Sequence, residues 1–144
     1  MSFRNPAPQA IADLLRQART IAVVGLSDEP SRPSYGVSCS MREYGYRILP
    51  VNPALQQWLG QPVHASLAAA QQSLEPGARI DVVNVFRRPA RVGEVVDECL
   101  QLGLPALWLQ QGVINEPEAV RAAAAGMFVV MDRCIYVDRA ALPA

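Results

Sequence analysis

Two hydrophobic rhythms alternate along the chain. In "APQAIADLLRQA" (7–18), Ile11, Leu14, Leu15 and Ala18 recur at three- and four-residue intervals behind Pro8, and this spacing predicts an amphipathic helix. "TIAVVGL" (20–26) drops that rhythm for a short β-branched run closed by glycine, the pattern of a strand buried on both faces. Helical spacing returns with Val37, Met41 and Tyr44 over about 34–44, and "EYGYRILPVNP" adds a glycine stop and a second strand over 46–51. "QPVHASLAAAQQSL" (61–74) predicts a short strand or turn and then a weak helix.

The alternation continues through "RIDVVNVF" (79–86) with a helix over 89–103, "PALWLQQGV" (105–113) with a helix over 115–126, and "MFVVMD" (127–132). Strands separated by helices of this length predict a mostly parallel sheet with helices on both faces. Right-handed crossovers then give an α/β, doubly wound, Rossmann-like arrangement. Residues 1–144 are expected to form a single domain with the 7–18 helix packed on it, and 133–144 carry no assigned structure.

Composition narrows the function classes. Acidic and basic residues balance at 13 each and 51% of the chain is hydrophobic, which suggests neither disorder nor a broad nucleic-acid footprint. Every basic residue is arginine. The absence of lysine removes Schiff-base chemistry and the lysine of a Walker A loop, so an anion bound here meets guanidinium or backbone N–H groups. Cys39, Cys99 and Cys134 are odd in number and show no C-x-x-C spacing, which argues against a disulfide framework or a zinc site. With no basic-then-apolar leader and no apolar run of membrane-span length, a cytoplasmic protein without a membrane partner is expected.

In an open parallel sheet the ligand crevice lies at the carboxyl ends of the strands. That rule directs attention to "GLSDEPSRPSYG", "VNP", "FRRP", "LQQGV" and "MDRC". After Gly25 the second and third glycines of a G-x-G-x-x-G turn are missing. Ser34 is placed where a helix N-cap belongs, so the following N–H groups could receive a phosphate with Arg32 beside them. An NAD site needs an acid at the end of its second strand, yet Asn52 and Pro53 stand there. Phe86 with Arg87 and Arg88 offers a ring for stacking and two guanidinium groups. Gln110, Gln111 and Gly112 suit an amide-rich ligand, while Trp108 is expected in the core.

As an ordered set, "VVGLSDEPSRPSYGV", "GYRILPVNP", "VVNVFRRP", "ALWLQQGV" followed by "NE", and "VVMDRC" resemble the small CoA-binding protein family. That family looks like a free-standing version of the CoA-binding domain of the succinyl-CoA synthetase α subunit, and the resemblance runs from about Ile21 to Val137. It implies coenzyme A, or an acyl-CoA, across the strand ends. Carried onto matching positions, Gly25, Leu26, Ser27, Arg32, Pro33, Ser34 and Tyr35 would form the phosphate-facing loop. Asn52 and Pro53 would border the nucleotide, Phe86, Arg87 and Arg88 would flank it, and Gln111 and Gly112 would add contacts. Arg32, Arg47 and the Arg87/Arg88 pair remain open as partners of the ribose 3′-phosphate.

The synthetase's phosphorylated histidine belongs to a second domain, and the single histidine here, His64, lies outside the matched loops. No nucleophile elbow, H-E-x-x-H or acid-base pair is found, so the expectation is binding without catalysis. Two alternatives stay open: a small NAD(P)-dependent oxidoreductase, and an interaction subunit of an acyl-CoA synthetase system. A homodimer or protein partner is compatible with the sequence. Gly25 is expected to serve the approach of backbone to phosphate, and Cys134 to be an inert thiol unless it faces the thiol of the ligand.

Overall fold

The computed structural model describes residues 2–143; Met1 and Ala144, within the expected 1–144 domain, lie outside the described residues. In chain order the elements are α1 (Pro8–Gln17), β1 (Thr20–Val24), α2 (Pro33–Glu43), β2 (Arg47–Val51), β3 (Gln57–Trp58), β4 (Gln61–Pro62), α3 (Leu67–Gln72), β5 (Val82–Val85), α4 (Val92–Leu102), β6 (Ala106–Leu109), α5 (Glu116–Ala124), β7 (Phe128–Met131) and α6 (Ile135–Ala140). A 3-10 turn, Pro89–Arg91, leads into α4. β2, β1, β5, β6 and β7 lie side by side in that order, every pair parallel, and this is the expected Rossmann-like sheet.

Strand residues alternate between two cores because successive side chains leave opposite faces of a sheet. Ala22, Val24, Val83, Val85, Leu107 and Leu109 pack with α3, α4 and α5 residues such as Leu67, Val96 and Ala119. Ile21, Val23, Val82, Trp108 and Val130 pack on the other face with Ile11, Leu15, Met41 and Ile135 of α1, α2 and α6. Burial on both faces explains why the strands read as apolar runs and not as alternating ones. Trp108 is fully buried, as expected from its place inside β6. No helix among the described residues is long and apolar enough to cross a membrane.

Two segments go beyond the sequence reading. Residues 57–62 form a two-stranded antiparallel hairpin whose Trp58 is buried under the Arg42 guanidinium, 5.4 Å from the ring centroid. The tail left unassigned holds α6, tied down by a bidentate Arg133–Asp138 pair at 2.7 Å and by Trp108, whose Nε1 donates to the Arg133 carbonyl at 2.8 Å. β7 is an edge strand. Asn5 covers part of it, its side-chain amide exchanging two hydrogen bonds with the Met131 backbone at 2.8 and 2.9 Å as a neighbouring strand would.

Candidate functional site

β1 has β2 on one side and β5 on the other, so the chain's direction of travel across the sheet reverses at β1. Loops leaving the carboxyl ends on the two sides therefore diverge and open a crevice. Gly25 turns the chain there at φ +87°, and a Cβ at this position would overlap the Phe86 carbonyl oxygen. Glycine is thus required by the closeness of the β1 and β5 ends. That structural requirement stands beside the expected approach of backbone to phosphate.

The loop is braced internally. Gly25 N–H donates to the Val51 carbonyl at 2.8 Å, Ser27 N–H to Ser34 Oγ at 2.9 Å, and Glu29 N–H to Ser27 Oγ at 3.0 Å. Ser34 is not the N-cap. Arg32 holds that position in extended backbone, with Pro33 as the first helical residue and Ser34 inside the helix. Proline fixes a helical φ and lacks the N–H that would go unpaired there, so the helix starts earlier than a serine cap suggests. α2 consequently has no side-chain cap; Tyr35 N–H donates back to the Arg32 carbonyl at 3.1 Å, and the Ser34 and Gly36 N–H groups, at the positive end of the helix dipole, are left to solvent or a ligand.

A cleft of about 650 Å³ opens at this point. Of the residues proposed from sequence, Gly25, Ser27, Arg32, Pro33, Ser34, Phe86, Arg87, Arg88, Gln111 and Gly112 line it. Leu26 is fully buried beneath the loop, and Tyr35 turns away to pack edge-on against Trp58 at 6.1 Å. Asn52 acts from behind: its Nδ2 donates to the Leu26 carbonyl at 3.0 Å and its Oδ1 accepts from Ala54 N–H at 2.9 Å. Pro53 lines a neighbouring cavity of about 160 Å³, and Arg87 forms part of the wall of both.

Among the described residues, Arg32, Arg87 and Arg88 have no carboxylate partner within salt-bridge distance. Burial, and then repulsion from Arg91, lowers the Arg87 pKa against the pull of Glu94. The guanidinium nonetheless stays charged at neutral pH. Such a group gains from an anion more than a solvated arginine does. Arg47 is removed from this set. It opens β2 at the opposite end of the sheet and pairs with both carboxylate oxygens of Glu75 at 2.9 and 3.0 Å.

The far wall comes from the ends of β6 and β7. Gly112 N–H donates to Asp132 Oδ1 at 2.8 Å, so the two loops are tied and that N–H is already used. Asp132 pays for this position with φ +61°, an uncommon backbone for a residue other than glycine. Gln110 and Cys134, both singled out from the sequence outside the matched positions, line the cleft too, as do Val37 and Glu29, which were not. Behind Gln110 lies Asn84, a polar residue inside the apolar strand "VVNV". Asn84 Nδ2 donates to Gln110 Oε1 at 3.2 Å, and both residues are buried. His64 takes part through its backbone, its N–H donating to the Pro50 carbonyl and its carbonyl accepting from Asn52 N–H, each at 2.9 Å.

Comparison with known proteins places this geometry among relatives. The family model described as a CoA binding domain matches residues 19–140. The uncharacterized Bacillus subtilis (strain 168) protein YneT is 41% identical over 138 residues, 96% of this chain and 98% of that protein. A Thermus thermophilus structure shares 39% identity with a TM-score of 0.80, covering 94% of this chain and 98% of its own. The dinucleotide-forming acetyl-coenzyme A synthetase 1 of Ca. Korarchaeum cryptofilum, solved with phosphate and ADP, shares 25% identity at a TM-score of 0.64, over 81% of this chain and 26% of that enzyme.

Proposed function

The chain belongs to the CoA-binding domain family, and from that premise we propose that it binds coenzyme A or an acyl-CoA in the cleft at the ends of β1, β5 and β6, without catalysis of its own. The observation that carries this reading is the convergence of Arg32, Arg87 and Arg88, none with a carboxylate partner among the described residues, on the uncapped start of α2. Coenzyme A carries a pyrophosphate and a ribose 3′-phosphate, and these anions suit guanidinium groups and a helix N-terminus. A nicotinamide cofactor asks for a carboxylate to hold its ribose hydroxyls. Asn52 stands at that position, with its amide spent on the Leu26 and Ala54 backbone.

Native mass spectrometry of the purified protein, followed by coenzyme A titration of the stripped sample, tests the reading. A bound mass of coenzyme A or an acyl-CoA, or saturable binding that NADH does not compete with, supports it. A bare protein that ignores coenzyme A and takes up NADH would return the cleft to the oxidoreductase class. Likeness to part of an acetyl-CoA synthetase favours a second reading, an interaction subunit acting with a separately encoded synthetase. Co-purification from the native cell without such a partner removes it.

A further inference from the structure

The wall of the cleft opposite the arginines contains a fixed hydrogen-bond donor and a thiol side by side. Gln110 is only 5% exposed. Its Oε1 accepts from Asn84 Nδ2 at 3.2 Å and from Ile135 N–H at 3.3 Å, which orients the amide and leaves Nε2 as its free end. Nε2 has no protein hydrogen bond among the described residues, and Gln110 reaches solvent through the cleft that it lines. A donor held in place on its carbonyl side and open to the cleft on the other is pre-set for an acceptor that enters there. The N–H held by Gln110 belongs to the residue after Cys134, so the amide and the thiol share this wall.

Building on the coenzyme A reading, we propose that Cys134 is a capture site for the thiol end of the bound ligand, forming a mixed disulfide while Gln110 Nε2 holds a carbonyl of the ligand's amide-containing arm. The reach is adequate. β1 to β7 crosses three interstrand spacings, about 14 Å, and an arm with two amides resembles roughly four extended residues, again about 14 Å. The oxidant is the symmetrical disulfide of coenzyme A. The Cys134 thiol loses its proton to solvent and the thiolate attacks one disulfide sulfur; that S–S bond breaks as the Sγ–S bond forms. The second coenzyme A leaves as thiolate and takes up a proton, so one cysteine is oxidised and half of the disulfide is reduced.

The other two thiols are internal controls. Cys99 is fully buried, and burial followed by the charge of Glu98 pushes its pKa up to about 12, which leaves almost no thiolate. Cys39 sits half-buried on α2 against the core and does not line the cleft. Capture is therefore expected at Cys134 alone.

The experiment treats reduced, desalted full-length protein with about 10 µM coenzyme A disulfide and reads intact mass and modified peptides against time. Glutathione disulfide is run in parallel, and desulfo-coenzyme A serves as an unreactive competitor. An anchored nucleotide gives an effective concentration near millimolar, so the reaction should outpace glutathione disulfide about a hundredfold. The adduct should map to Cys134, disappear with dithiothreitol, and be suppressed by desulfo-coenzyme A. Equal labelling of Cys39, equal rates for the two disulfides, or no adduct in a protein that binds coenzyme A calorimetrically would overturn the capture and leave the binding reading standing. Absence of coenzyme A binding in the same calorimetry overturns both.

Discussion

Arginines at the amino ends of the parallel sheet contrast with the three that line the cleft at its carboxyl ends. At the amino ends of the strands Arg47 pairs with Glu75, and Arg79 lies 3.3 Å from Asp81, whose other oxygen accepts from the Arg19 and Thr20 backbone N–H groups. At the carboxyl ends Arg32, Arg87 and Arg88 meet in one cleft, and no salt bridge among the described residues involves them. The residue type is the same, and carboxylates stand at both ends, but at the carboxyl ends Glu94 pairs with Arg91 and Asp138 with Arg133, and none is in salt-bridge contact with these three arginines. Charge left unpaired beside an uncapped helix is available to a partner outside the chain; charge already paired is held within it.

The most severe way to break the comparison is to disturb the junction that opens the cleft. Gly25→Val introduces a β-branched side chain at positive φ against the Phe86 carbonyl, and a loss of about 3 kcal/mol or more is expected. Denaturant unfolding should show it, with ligand binding lost alongside the fold. Arg87→Ala removes one uncompensated charge. Binding should weaken by about 1.5–3 kcal/mol, roughly ten- to a hundredfold, while the unfolding midpoint stays within about 0.5 kcal/mol of the parent.

Gln110→Leu strips the acceptor from Asn84 Nδ2 and Ile135 N–H. A stability cost of about 1–3 kcal/mol should follow, measurable by thermal unfolding, and the carboxyl edge would be shown to rest on a buried polar chain as well as on the two cores. Arg47→Ala is the smallest change. An exposed pair is worth about 0–1 kcal/mol, so stability should scarcely move and calorimetric affinity for coenzyme A should not change. If Arg47→Ala weakened binding as much as Arg87→Ala does, the contrast between the two ends would collapse.

The sheet was legible because its strands are buried on both faces: "TIAVV" and "ALWL" are apolar without interruption, and glycines mark several element ends. Much of the cleft lining was legible as well, since the carboxyl-end rule leads directly to "GLSDEPSRPS" and "FRRP". Arg47 stayed open beside the cleft arginines because composition gives every arginine equal standing. Its place at the start of "RILPV", and not at the end, was the available clue. Leu26, Tyr35 and Asn52 sit in the right segments but turn inward to the core, to Trp58 and to the loop's own backbone, and side-chain direction in an irregular loop has no periodicity to read. The α6 tail went unassigned because six residues form too short a window for helical spacing, and beside the local Arg133–Asp138 pair its stability comes from contacts with Trp108 and Tyr46 that only the tertiary fold supplies.

The central claim is that the carboxyl-end cleft takes coenzyme A through its uncompensated arginines. Its most direct test is calorimetric titration of coenzyme A into the parent protein, Arg87→Ala and Arg47→Ala side by side. Saturable one-site binding is expected, weakened roughly ten- to a hundredfold by Arg87→Ala and unchanged by Arg47→Ala. No binding to the parent, or equal affinity in all three, would contradict it.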